Sequence, residues 1–138
     1  MKAAKRQFLV AVDGINGNRP YFAQKSGGEV TSSATKVWDG GSLTPDVIAA
    51  PADIGDLTLT RPYDPENDQD LLNRLVSLVG QWRTTVSIQP TAGDLSASKV
   101  KPRVYPDALL TGVREPETDA SSGDAADYQL TFSVGAIG

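Results

Sequence analysis

Neither cysteine nor histidine occurs among the 138 residues. Without cysteine there is no disulfide, no thiolate metal site and no cysteine nucleophile. Without histidine the commonest general base, the commonest metal ligand and every serine–histidine triad are gone. Aromatic residues are few: two Trp, four Tyr and three Phe, a thin supply for lining successive sugar subsites. Positive charge is in deficit, with 13 Lys and Arg against 17 Asp and Glu and a net charge of −4. A chain built to grip phosphates is normally basic, so a dedicated nucleic-acid binder is disfavoured. Long apolar runs are absent as well. Lys2, Lys5 and Arg6 precede Phe8-Leu9-Val10-Ala11-Val12 in the manner of a signal peptide, but Asp13 interrupts the run and no small-residue cleavage site follows. No stretch approaches the length of a transmembrane helix. The expectation is a protein made in a cytoplasm that stays soluble until it assembles, with no membrane binding by the subunit.

What the chain does contain supports a folded core. Leu, Ile, Val and Phe together make up 32 of 138 residues, above the roughly one-fifth below which chains tend to stay disordered. The length suits one domain, residues 1–138. The dominant period is two. Phe8, Val10 and Val12 alternate with Gln7, Leu9 and Ala11; Leu57 and Leu59 with Asp56, Thr58 and Thr60; Val86 and Ile88 with Thr85, Ser87 and Gln89. Tyr128, Leu130, Phe132 and Val134 alternate with Gln129, Thr131 and Ser133. Each run reads as a strand with one apolar and one Thr/Ser/Gln face, as half-buried antiparallel sheets require. Residues 29–38 read as one further long strand. Residues 99–110 read as another, an edge strand or a bent one because Pro102 and Pro106 cannot donate to a ladder.

One helix is expected over about 65–79. Asp64-Pro65-Glu66 supplies a cap, a proline suited to the first turn and an acid that favours the dipole. Leu71, Leu72, Leu75, Val76, Leu78 and Val79 then form an apolar stripe, and Gly80 closes it. Asp64, Glu66, Asp68 and Asp70 are read as capping and dipole compensation in preference to a metal site, since the glycine and terminal glutamate of a calcium loop are missing. The fold class is therefore mainly β: an antiparallel sandwich or barrel of six or seven strands with one amphipathic α-helix.

No catalytic constellation emerges. Acid pairs are plentiful, but nothing places two of them across a sugar bond, and solvated faces explain them better. No cofactor or metal is implied. Three features point instead to contacts between copies. Lys99, Lys101 and Arg103 project from one face of one strand, and residues 107–127 hold six acids, Asp107, Glu115, Glu117, Asp119, Asp124 and Asp127, against one base, Arg114. Complementary charges of this kind set the register of an assembly more than its raw affinity. Residues 39–55 lack any period and carry prolines and glycines, so they read as a long loop, yet Leu43, Val47, Ile48 and Ile54 make it apolar. Loops of that length are usually functional, and apolar ones call for cover. Folding back on its own domain is the simple alternative; docking on a neighbouring copy accounts better for the charge asymmetry.

These residues carry a family resemblance. Gly27-Gly28-Glu29-Val30 opens a long strand ending in Lys36-Val37-Trp38-Asp39-Gly40-Gly41-Ser42-Leu43. A proline-bearing loop follows, then Ile54-Gly55-Asp56-Leu57-Thr58-Leu59-Thr60-Arg61, an acidic turn, one helix and Thr84-Thr85-Val86-Ser87-Ile88. This order resembles the tail tube proteins of long-tailed bacteriophages and the inner-tube proteins of related contractile injection machines. The resemblance covers most of residues 27–89, and Arg61-Pro62-Tyr63 stands where a glycine turn is expected. It implies a sandwich or barrel whose strands join across copies into one continuous barrel, with hexameric rings stacking into a tube of the virion. The loop after Trp38 would reach the adjacent ring. Implied partners are further copies and other tail proteins (tape measure, terminator, baseplate or tail tip), with viral DNA passing only transiently and without sequence-specific binding. A polar, mildly acidic bore would repel phosphates within about a Debye length, roughly 8–10 Å. Two other readings are a terminator ring, which caps a tube without stacking on itself, and a carbohydrate-binding β-sandwich, which would bind glycans as a monomer.

Overall fold

The computed structural model describes residues 4–5, 8–14, 21–91 and 101–137. In chain order the strands are β1 (Phe8–Val12), β2 (Tyr21–Phe22), β3 (Gln24–Gly27), β4 (Val30–Thr31), β5 (Ala34–Val37), β6 (Asp46–Ala49), β7 (Asp53–Ile54) and β8 (Leu57–Pro62). Helix α1 (Pro65–Leu78) follows, then β9 (Arg83–Pro90), β10 (Arg103–Arg114) and β11 (Asp127–Ser133). The fold is mainly β, and every strand pair is antiparallel.

Seven strands form one sheet in the order β2-β1-β9-β10-β11-β8-β3. Its two outermost strands, β2 and β3, are separated in sequence only by Ala23. A flat sheet of this order would hold them roughly 29 Å apart, at about 4.8 Å per strand. The chain from Phe22 to Gln24 can span only about 7 Å. The sheet is therefore rolled on itself until its two margins meet at Ala23, whose N–H donates to the Thr60 carbonyl at 3.0 Å. Ala23 also interrupts the alternation. Phe22 pairs with Val10 and is buried, whereas Gln24 pairs with Thr60 and faces outward.

The inside of the roll is filled from six of its seven strands, all but β3: Val10 and Val12, Phe22, Leu57 and Leu59, Val86, Tyr105, Ala108 and Leu110, and Tyr128, Leu130 and Phe132. Leu72 and Leu75 of α1 belong to the same cluster. The helix begins at Asp64, whose carboxylate accepts from the Glu66 N–H at 3.1 Å, with Pro65 in the first turn. After the helix, Gly80 turns with φ +81°, and its N–H donates to the Leu110 carbonyl at 2.8 Å, which starts the chain back along β10.

A buried ion pair ties the helix to the sheet. Arg61, at the end of β8, donates to Asp68 of α1 at 2.9 Å, and the two side chains are 3% and 1% exposed. Asp68 also accepts from the Asp64 N–H at 2.8 Å and from the Tyr128 hydroxyl at 3.4 Å. The guanidinium lies 4.7 Å from the Phe22 ring centroid and 5.4 Å from that of Tyr128, close enough for both ring faces to attract it. Asp68 is thus more than a dipole-compensating acid of the first turn. Arg61 is where the strand-to-helix connection is fastened, in place of the expected glycine turn.

Three sequence expectations change. Residues 99–110 were read as an edge or bent strand; β10 is bent but internal, paired with β9 on one side and β11 on the other. Its bend lies between Tyr105 and Ala108, where the register shifts and Asp107 takes φ 56°. Pro106 occupies that irregularity and Pro102 precedes the strand, so neither proline faces a ladder position that needs its missing N–H. The long strand over 29–38 is two short ones, interrupted at Ser32-Ser33. There the Ser32 hydroxyl donates to the Ala50 carbonyl and the Ala50 N–H to the Ser33 carbonyl at 2.8 Å. The loop over 39–55 is in large part the returning limb of that same ribbon, since β6 pairs with β5 and β7 with β4.

Candidate functional site

Residues 28–56 form a two-stranded arm. It leaves the rolled sheet where β3 and β8 part, and among the described residues its strands pair only with each other. The base is built on glycine. Gly27 and Gly28 take φ +80° and +77°, and a Cβ on Gly27 would lie 1.9 Å from the Asp56 carbonyl oxygen. Only glycine permits that conformation and that approach. Across the base, the Gly55 N–H donates to the Glu29 carbonyl at 2.8 Å. Ile54 is half-buried against the core and anchors the arm. At the tip, Asp39-Gly40-Gly41-Ser42 turns the chain, with Ser42 N–H donating to the Asp39 carbonyl at 3.2 Å.

Beyond Ile54 the arm is uncovered. Trp38 is 61% exposed, Leu43 95%, Val47 62% and Ile48 58%. Directly opposed residues in an antiparallel ribbon share a face, and neighbours alternate. Lys36 opposes Val47, whereas Thr35 opposes Ile48. Val47 and Ile48 therefore project from opposite faces, and Val37 joins Ile48 on its side. Sequence reasoning did not single out Val37 as a contact, because Ala34-Thr35-Lys36-Val37 has no apolar alternation to mark it. The arm thus brings Trp38, Leu43, Val47 and Ile48 onto one element, but distributes them over both of its faces and its tip.

The charged candidates lie elsewhere and apart from one another. Arg103 is exposed as the first residue of β10, and Lys101 is exposed two residues before the strand begins, so the two do not share one strand face as expected. Glu115, Glu117 and Asp119 are exposed just past its end. The twelve residues of β10 separate the two groups, a length of about 40 Å, so they occupy opposite ends of the same strand. Lys99 lies outside the described residues. Some of the acids have partners within the chain: Asp127 accepts from Arg114 at 2.8 Å and Asp107 from Arg83 at 3.2 Å. Asp119 accepts from the Ser121 hydroxyl at 2.7 Å and the Ser121 N–H at 3.0 Å. These bonds, the hydroxyl's first, hold its carboxyl below the usual aspartate range.

No family model and no curated protein matches this chain. Solved structures do. A chain of the sheath–tube complex of an extracellular contractile injection system (PVC), in its extended state, is similar with a TM-score of 0.80 and 18% identity, over 99% of this chain and 89% of that one. A chain of the anti-feeding prophage cap, which terminates the tube, is similar with a TM-score of 0.79 and 15% identity, over 100% and 90%. A chain of the virion of a native gene transfer agent particle is similar with a TM-score of 0.62 and 10% identity, over 99% and 97%. The chain therefore has the tail-tube-like fold found in components of contractile injection systems and phage-like particles.

Proposed function

We propose that this chain is a structural subunit of a tail tube, without catalytic activity. Copies form hexameric rings, and the rings stack into a conduit through which a particle ejects its genome. The observation that carries this reading is the arm. Its apolar residues lie on two opposite faces and at the tip, so a single partner surface cannot cover them all. Insertion between two neighbours does. A head-to-tail interface whose rotation closes makes a ring, and a second, different contact makes a stack; the arm supplies the second.

In this reading the charged ends of β10 set the register between copies, and the tube's other partners are the tail proteins at its two ends: a tape measure, a terminator and a baseplate or tip. The subunit is synthesised in the host cytoplasm and functions in the particle. The likeness to a tube-terminating cap favours one further reading, a terminator ring that closes a tube and does not stack on itself. Negative-stain microscopy and light scattering of the purified protein over rising concentration separate the two. Tubes support the first reading and isolated rings the second. A molecule that stays single at every concentration, with and without other tail components, overturns both.

A further inference from the structure

The outer surface of the rolled sheet is not uniform, and one sector of it lacks charge. On β3, β8 and β11 the outward-facing residues fall into two cross-strand rows. Gln24 pairs with Thr60 and Thr60 with Gln129; Ser26 pairs with Thr58 and Thr58 with Thr131, and Gly112 of β10 extends the second row. All six side chains are hydroxyls or amides, and all are exposed or half-exposed. The nearest charges in register are Arg114, opposite Gln129, and Asp127, opposite Pro62, and these two neutralise each other at 2.8 Å.

This surface differs from the two ordinary kinds. A solvated sheet face in a chain with 22% charged residues normally carries Lys, Glu or Asp, and a face buried between subunits is normally apolar at its centre. The sector over β1, β9 and the start of β10 is mixed: Leu9, Ala11, Tyr21 and Val104 face out there beside Ser87 and Gln89 of β9, so apolar groups interrupt its polar ones.

We infer that the Gln24–Thr60–Gln129 and Ser26–Thr58–Thr131 rows are the wall of the bore. The inference rests on the tube reading and adds to it which face of the subunit looks inward and what that face does to cargo. A wall of hydroxyls and amides stays wetted, yet has no fixed charge with which to hold a polyanion by counterion release. Its electrostatic character is neutral where the sequence alone suggested a mildly acidic lining. A polymer of either sign passes it without being gripped.

The absence of cysteine gives a direct test, because an introduced thiol is the only one in the protein. Thr131→Cys and, as a second site, Thr58→Cys are assembled into tubes. They are treated either with N-ethylmaleimide or with a maleimide-conjugated immunoglobulin too large to enter a bore. The expected result is near-complete labelling of assembled tubes by the small reagent and none by the large one. Both reagents should label the dissociated subunit. Labelling of intact tubes by both reagents would place the face outside. Labelling by neither, or folded variants that no longer assemble at either site, would place it in a subunit contact; each of these overturns the inference. If the parent protein makes no tube, the tube reading itself fails, and this inference with it.

Discussion

Replacing Asp68 by alanine removes the carboxylate from a cation that cannot follow it into water. Arg61 is 3% exposed, roofed by Phe22 and Tyr128, and its guanidinium is 2.9 Å from Asp68. Breaking a buried pair from one side typically costs about 3–5 kcal/mol, because a desolvated charge is left behind. Asp68 also satisfies the Asp64 N–H at the helix start, so fraying of the first turn adds to the loss. For a domain whose total stability is of order 5–15 kcal/mol, that is a large share. At about 3–5 °C per kcal/mol for a chain of this length, the expected fall in Tm is roughly 10–20 °C. Urea unfolding followed by tryptophan fluorescence gives the free energy, since Trp82 packs against Phe132 with ring centroids 6.3 Å apart and reports on the core. Replacing both partners by apolar residues, Arg61→Met with Asp68→Leu, should recover most of the loss, because neither charge then remains buried. A loss below about 1 kcal/mol in Asp68→Ala, or a double-mutant cycle with no coupling between the two positions, would refute the claim that this pair fastens the helix to the sheet.

Other perturbations separate folding from assembly. Leu43 is 95% exposed, so Leu43→Ser should shift the subunit's stability by no more than about 0.5 kcal/mol. If the side chain is buried on docking, about 1.5–3 kcal/mol per contact is lost, or roughly 10- to 150-fold in association; light scattering should show a raised assembly threshold at unchanged Tm. Gly27→Ala places a Cβ 1.9 Å from the Asp56 carbonyl oxygen at φ +80°; the base of the arm must open, and chemical denaturation should show a loss of more than about 1 kcal/mol. Ser121→Ala removes the larger of the two causes that depress the Asp119 carboxyl, so its midpoint in an NMR titration should rise toward the ordinary aspartate value. The sign follows from the folded value lying below the unfolded one: the stabilisation is complete above the unfolded pKa and disappears as pH falls through the folded pKa. Ser121→Ala should therefore lower stability at neutral pH, and the difference from the parent should vanish as pH falls through the folded pKa.

Much of the fold was legible because period and burial agree. The strands at Leu57–Pro62 and Asp127–Ser133 bury every second residue, as does Phe8–Val12 from Val10 onward, Phe8 being exposed, and the helix begins at the Asp-Pro-Glu sequence that specifies a cap. What escaped the sequence has physical causes. Residues 46–49 pair with 34–37, but both faces of that ribbon are exposed, so no burial pattern marks it as strand, and glycine and proline suggested a loop. The Arg61–Asp68 pair joins residues seven apart across a strand and a helix, and only the fold brings them together. The polar rows likewise depend on cross-strand register, which one strand's alternation does not reveal. The apolar content of residues 39–55 was visible at once; that its members point two ways was not.

The division between core and arm bears on how such a subunit avoids premature association. The rolled sheet brings its two margins together at Ala23, and among the described residues both marginal strands are short, two residues in β2 and four in β3, which limits the edge each offers to a second chain. Apart from Ile54 at its base, the arm shares no residues with the core: Leu57, Leu59, Leu130 and Phe132 are buried, whereas Trp38, Leu43, Val47 and Ile48 are outside. On the proposed function, stability and assembly can therefore be altered independently, one through the core and the other through the arm. A two-stranded ribbon is only marginally stable in water by itself, and this one is held chiefly at its base, by Ile54 and the glycine turn. Its apolar groups are spaced along the ribbon and split between its faces, which denies an unassembled copy one continuous sticky patch. In the proposed tube, neighbours that present surfaces to both faces together would cover the arm. In the proposed ring that arrangement exists once several subunits are in place, which makes the contact cooperative and favours growth of an existing stack over pairing of free subunits.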